Sequence, residues 1–280
     1  MEADSAVSEA IKGEKVRVVE DDYHMVTSRV EELKTVCPFY LLSVYYPAKM
    51  GAGHIAKNIG IIRQKIENKC LKGGVDPDSI TLVGITKTFT AEEASAGVRA
   101  GLADLGENKV QEAASKIPQV EPRPIWHMVG HLQKNKARKA VELFDIIQSV
   151  DDTELAQAIS EYAGRLGKRQ IVYLQVNSSY EHQKSGFNPG ELMEAIEHIR
   201  GLPNIDICGL MTIGPMTDNV GEIEKSFSLT RSLFGQIQKI VGAGFQKLSM
   251  GMSADYELAL DYGANVLRIG TAIFGQRGKV

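Results

Sequence analysis

A lysine at the end of an apolar run is the first residue of this chain placed for chemistry. Thr81-Leu-Val-Gly-Ile-Thr86 reads as a short buried strand, Lys87 follows it, and Ala91-Glu-Glu-Ala94 opens a helix. Lys87 therefore stands at the strand's C-terminal end, where parallel α/β folds bind their ligands. An ammonium is costly to bury without a partner. A partly desolvated lysine loses its proton more easily, and its amine is then a nucleophile toward aldehydes. The competing reading is a lysine that snorkels to the rim of the fold.

Two later segments add a complementary chemistry. Ser249-Met-Gly-Met-Ser253 and Arg268-Ile-Gly-Thr271 each combine glycine with hydroxyl residues just after an apolar run. At such turns bare backbone N–H groups can face an anion. Either segment alone reads first as glycine permitting a tight turn. Together, opposite a rim lysine, they point to a phosphate.

The elements that must bring these residues together alternate along the chain. Strand-like runs fall at 81–86, 103–106, 125–129, 146–150, 170–176, 207–213, 247–250 and 266–269, and amphipathic segments at 91–100, 109–116, 134–142, 152–166, 189–200, 221–241 and 254–262 separate them. Asp151-Asp-Thr-Glu154 sets acidic side chains on a helix's positive end, and Asn188-Pro189 offers an N-cap followed by proline at N1. Eight alternating units predict a parallel (β/α)8 TIM-like barrel. A doubly wound sheet is the alternative, but no G-x-G-x-x-G follows the first strand. Ahead of strand one, Ile55, Ile59, Ile62, Ile66 and Leu71 predict a helix from His54 that Gly73-Gly74 stops. No helix is expected after strand eight, so this one should fill the vacant place in the outer ring.

Residues 1–53 read as an N-terminal extension peripheral to a barrel of residues 54–280. They carry the acidic run Glu20-Asp21-Asp22, and Tyr46-Pro47-Ala-Lys-Met50-Gly-Ala-Gly53 reads as a linker in which Met50 is an alternative start. A net charge of −3 gives no electrostatic argument for nucleic acid or an anionic membrane. No apolar run approaches the roughly 20 residues of a membrane helix. The nearest, Val36–Tyr46, contains Pro38 and lacks a basic flank, so a secretory signal is not expected. Cys37, Cys70 and Cys208 are scattered without zinc spacing, which favours free thiols and a cytoplasmic location, with no metal site.

The motifs in order carry a resemblance. Thr86-Lys87-Thr88, Gly106-Glu-Asn108-Lys-Val-Gln-Glu112, Trp126-His127-Met-Val-Gly130-His-Leu-Gln133-Lys-Asn-Lys136, Ser149-Val-Asp151, Lys184-Ser-Gly186, Gly209-Leu-Met211, Leu248-Ser-Met-Gly-Met-Ser253 and Arg268-Ile-Gly-Thr-Ala-Ile-Phe-Gly275 closely resemble the pyridoxal phosphate homeostasis proteins, from about His54 to Arg277. Thr86 stands where that family usually has Ser, and His131 where Pro is common. The resemblance implies the single-domain barrel of fold-type III pyridoxal phosphate (PLP) proteins, like the N-terminal domain of alanine racemase. It implies that Lys87 carries PLP as an internal aldimine. Ser249, Ser253, Gly270 and Thr271 would hold the phosphate and Arg268 would face the pyridine nitrogen. Asn108, His127 and Met211 would line the pocket.

A guanidinium donates hydrogen bonds and practically never loses its proton, so an arginine at the ring nitrogen would keep that nitrogen unprotonated. Such a ring is a poorer electron sink, which disfavours transamination. Racemases of this fold add a C-terminal domain whose tyrosine is the second acid/base, and none is expected here. The expected function is therefore a non-catalytic PLP carrier and regulator with no catalytic residue, a monomer or weak dimer whose recipients would be PLP-dependent apoenzymes. The alternatives are a PLP-dependent amino-acid racemase, or a lyase that forms a Schiff base with a phosphorylated sugar. His127 reads as a packed wall residue, Glu107 and Asp151 as carboxylates that orient neighbours, and Gln133–Arg138 as a solvated helix start. Lys184 is left as either a loop residue or a second PLP site.

Overall fold

The computed structural model describes residues 53–181 and 183–276. The expectations for residues 1–52 lie outside the described residues. Among those described, eight parallel strands close in sequence order into a barrel, β1 pairing with both β2 and β8. The strands are β1 Thr81–Ile85, β2 Asp104–Glu107, β3 Ile125–Met128, β4 Ile146–Val150, β5 Gln170–Gln175, β6 Ile205–Met211, β7 Lys247–Ser249 and β8 Val266–Ile269.

The helices that return the chain between strands are α2 Ala91–Arg99, α3 Val110–Lys116, α4 Ala137–Leu143, α5 Thr153–Arg165, α6 Leu192–Ile199, α7 Val220–Val241 and α8 Tyr256–Asp261. Ahead of them stands α1, Gly53–Lys72, and after β8 a single turn, α9 Thr271–Phe274. The expectation of no helix after β8 is corrected by α9, which is too short to cover β8 and β1. That cover comes from α1, as expected. It packs against α8, α9 and α2, with Asn58 Nδ2 donating to the Ile273 carbonyl at 2.9 Å and Lys69 paired to Asp261 at 2.7 Å. Its buried stripe is Ile55, Ile59, Ile62, Ile66 and Cys70; Leu71, which the spacing also admitted, is 63% exposed.

Alternation along each strand divides the apolar residues into two sets. One set, with Leu105, Trp126, Ile147, Leu174, Leu210 and Leu267, packs outward under the helices. The other fills the barrel with Val83, Ile85, Val129, Tyr173, Met211 and Val266. Val83 and Ile85 face inward and Gly84 outward; β1 ends at Ile85, and Lys87 stands in the turn that follows.

Several boundaries move for local reasons. β6 begins two residues earlier than the apolar run, because Arg169 pairs the intruding Asp206 at 2.6 Å and lets Ile205 pair with Gln170. Asn188-Pro189 opens a turn instead of α6: Asn188 Oδ1 accepts from Gly190 N at 3.0 Å, and regular helix starts only at Leu192. Asp255 accepts from Met252 N at 2.6 Å and keeps 252–255 as a turn ahead of α8.

Candidate functional site

Arg268 and Ser249 form the centre of the barrel's polar interior. The Arg268 side chain reaches inward from β8, where Nη1 donates to Ser249 Oγ at 2.5 Å and Nη2 to the Thr212 carbonyl at 2.6 Å. Neither partner is a carboxylate. The arginine is only 4% exposed, and burial pulls its pKa down to about 10 against the opposing pull of Asp255. A guanidinium keeps its charge through the neutral range even so. The barrel mouth thus contains a buried cation whose hydrogen-bond partners are neutral, an arrangement that favours an electron-rich acceptor.

From Ser249 a line of donors crosses the barrel. Ser249 Oγ donates to Gln148 Oε1 at 2.6 Å, Gln148 Nε2 donates to His127 Nδ1 at 2.8 Å, and His127 Nε2 lies 2.9 Å from Asp104 Oδ1. A neutral imidazole protonated on Nε2 satisfies every contact in this chain. His127 is therefore enclosed, 1% exposed, and reaches Arg268 through Gln148 and Ser249. Gln148 was missed in the sequence; its signal is an amide in the apolar run Ile146-Ile-Gln-Ser-Val150, at a position whose parity faces inward.

The remaining expected residues gather around the same end. Met211 is fully buried in the inner cluster, one residue before the Thr212 carbonyl that Arg268 grips. Gly270 lies against the end of β1: a Cβ built on it would meet Ile85 Cβ and O at 3.4 Å. Ser253 Oγ accepts from the Ala272 amide at 3.2 Å, so the loop after β7 is tied to the first turn of α9 at Thr271. Gly251, at φ 92°, lets that loop turn in a region side chains rarely adopt. Asn108 meets the end of β3 at Gly130, where a Cβ would overlap the Asn108 carbonyl oxygen and lie 2.8 Å from its Cα. Asn108 is thereby brought to the turn that follows His127. The two glycine corners, Arg268 and the residue after β1 thus share one end of the barrel.

The bland readings resolve residue by residue. Glu107 is engaged by Lys116 and Thr86, whereas Asp151 Oδ2 sits 2.8 Å from His131 Nδ1, so the two carboxylates belong to separate clusters. His131 Nδ1 also lies 3.1 Å from Ser185 Oγ, joining the loops after β3, β4 and β5. The Lys184 ammonium is held by Glu181 at 2.5 Å and the Gly214 carbonyl at 2.8 Å. Lys134 pairs with Glu154 and Arg138 with Glu142 on an exposed face.

Comparison with known proteins decides the lineage. The family model for the alanine racemase N-terminal domain matches residues 76–278. The pyridoxal phosphate homeostasis protein of Haemophilus influenzae is 36% identical over 228 residues, covering 80% of this chain and 96% of that protein. The chain belongs to the pyridoxal phosphate homeostasis protein family. The same family name is carried by a Pseudomonas aeruginosa relative, 38% identical over 80% of this chain and 96% of its own length. Among solved structures, PipY of Synechococcus elongatus with PLP bound aligns at a TM-score of 0.71 with 34% identity, over 79% of this chain and 100% of that one. An alanine racemase of Clostridium difficile aligns at a TM-score of 0.62 with 18% identity, over 77% of this chain and 58% of that one, a likeness of fold alone.

Proposed function

We propose that the protein binds PLP at the C-terminal end of its barrel, with Lys87 as the covalent anchor, and holds or delivers the cofactor in PLP homeostasis. The observation that carries the reading is Arg268, a buried cation whose hydrogen-bond partners among the described residues are neutral, at the end of the barrel where Lys87 follows β1. PLP fits these residues. Its pyridine nitrogen would offer the Arg268 guanidinium a further acceptor beside Ser249 and Thr212. The corners at Ser249–Ser253 and Gly270–Thr271 would supply backbone donors and the Ser253 and Thr271 hydroxyls for its phosphate, the Ser249 hydroxyl being already given to Gln148. Asn108 and Met211 would line the ring's pocket, and His127 would act through Gln148, which it holds. When bound, PLP supplies an aldehyde, and an electron sink that Arg268 weakens by leaving no proton on the ring nitrogen.

Arg268 argues against transamination and not against racemisation. A carrier is the better reading because both ring nitrogens of His127, the acid/base candidate near the site, are already committed to structural partners. PLP-dependent apoenzymes in the cytoplasm are the recipients this reading implies.

The purified protein, incubated with PLP, should develop a visible absorption band. Borohydride should then discharge the band and leave the mass of one pyridoxyl phosphate on the Lys87 peptide. A protein that stays colourless, or a Lys87→Ala variant with an unchanged band, refutes the anchor. Turnover of L-amino acids in a chiral assay at ordinary enzymatic rates, on the order of 1 per second or more, favours the racemase instead.

A further inference from the structure

The peptide units on either side of Lys87 end on one buried charge cluster. Lys116 Nζ, from α3, donates to the Thr86 carbonyl at 2.6 Å, to Glu107 Oε1 at 2.6 Å and to Glu112 Oε1 at 2.8 Å. The same Glu112 oxygen accepts the Thr88 amide at 2.6 Å, and Glu107 Oε1 accepts the Thr86 hydroxyl at 2.6 Å. The carbonyl before Lys87 and the amide after it are thus gripped by one lysine, directly on one side and through Glu112 on the other. The Lys116 side chain is 6% exposed and that of Glu107 fully buried.

Two features separate this cluster from an ordinary stabilising ion pair. Thr88 adopts φ 69°, a left-handed conformation that is rare for a β-branched residue and persists only where its surroundings impose it. In that conformation the Thr88 amide meets Glu112 at 2.6 Å. Moreover, a buried ion pair adds little net stability compared with apolar packing of the same volume, since desolvation offsets the attraction. Burial drives the Glu107 carboxyl above its ordinary pKa even though Lys116 and Thr86 oppose the shift. What the cluster does accomplish is geometric: it ties the Thr86 carbonyl and the Thr88 amide, on either side of Lys87, to one point.

We propose that Lys116 is a positioning residue for Lys87, fixing, with Glu107 and Glu112, the turn from which the anchoring amine projects. The inference rests on the reading of Lys87 as the PLP anchor. It is tested with Lys116→Met, and with Lys116→Met/Glu107→Gln so that a charge-balanced variant is available should the single one fold poorly. Each is titrated with PLP and with pyridoxine 5′-phosphate, whose alcohol cannot react with an amine. The rate at which formaldehyde and borohydride methylate Lys87 is measured by peptide mass spectrometry relative to the exposed Lys57.

Loss of positioning weakens PLP binding at least about tenfold while pyridoxine 5′-phosphate binding stays within about twofold, since only the first ligand uses the amine. The methylation rate of Lys87 relative to Lys57 should change by at least about threefold, since the relaxed turn alters the exposure and proton affinity of its amine. Equal losses for both ligands, or an unaltered Lys87 methylation rate, overturn the proposal. A wild-type protein that takes up no PLP refutes the anchor reading instead, and the methylation comparison still decides the role of Lys116.

Discussion

Arg268 Nη1 donates to Ser249 Oγ at 2.5 Å, tying the last two strands of the barrel together from the inside. Replacing Arg268 with Gln keeps a donor for Ser249 and removes the charge. A hydrogen bond to a charged group contributes about 1.5–3 kcal/mol. Arg268→Gln should therefore weaken PLP binding by about tenfold or more and shift the bound visible band, with the circular dichroism of the barrel retained. Unchanged affinity in a fluorescence titration would remove Arg268 from the cofactor site.

Ile59 ties the first helix to the barrel. It is 2% exposed, in the stripe with which α1 covers the gap between α8 and α2. Truncating a buried isoleucine to alanine costs about 2–5 kcal/mol, transfer and cavity terms together. Ile59→Ala should lower the denaturation midpoint accordingly, whereas Leu71→Ala, at an exposed position on the same helix, should change it little. Equal effects would mean that α1 is not part of the barrel's outer layer.

Much of this architecture is legible in the residues themselves, for identifiable reasons. Buried parallel strands are apolar on both faces, so runs such as Ile146–Val150 and Val266–Ile269 stand out with correct ends. The Thr90 capping box with Glu93 marks the start of α2 in the same local way. Where long-range partners decide, the sequence is silent. Asp206 looks like a strand breaker until Arg169 is brought beside it. Lys116 looks like an exposed end-of-helix lysine, although it lies three residues after Ala113 and six after Val110 on the buried side of α3. His127 reads as a pocket residue from its neighbours, and only the fold reveals that Gln148 and Asp104 occupy both its nitrogens.

Asp151 carries a pH signature. Burial raises its pKa above the ordinary value of 3.8, more than the hydrogen bond to His131 lowers it. The folded protein therefore holds a proton there more tightly than the unfolded chain. Stability contributed at this site falls as pH rises from 3.8 through the folded-state value. Asp151→Asn keeps an acceptor for His131 and has no charge to bury. It should melt at a higher temperature than the wild type at pH 7, and the difference should vanish as the pH approaches 3.8. A variant that melts lower at pH 7 would mean that the ion pair with His131 outweighs desolvation.

Gly130 makes the sharpest steric prediction. It ends the turn after β3, and a Cβ there would overlap the Asn108 carbonyl oxygen and come within 2.8 Å of Asn108 Cα. Backbone atoms cannot rotate away as a flexible side chain can, so the ends of β2 and β3 would have to separate. Overpacking of this kind costs about 1–3 kcal/mol. Because Asn108 follows Glu107, the displacement is transmitted to the cluster that grips Thr86 as well as to the pocket wall. Gly130→Ala should therefore lower both thermal stability and PLP affinity. Gly235→Ala, where a Cβ meets nothing within 4 Å on α7, should lower neither. Loss of stability without loss of affinity would separate the β2–β3 contact from the cofactor site.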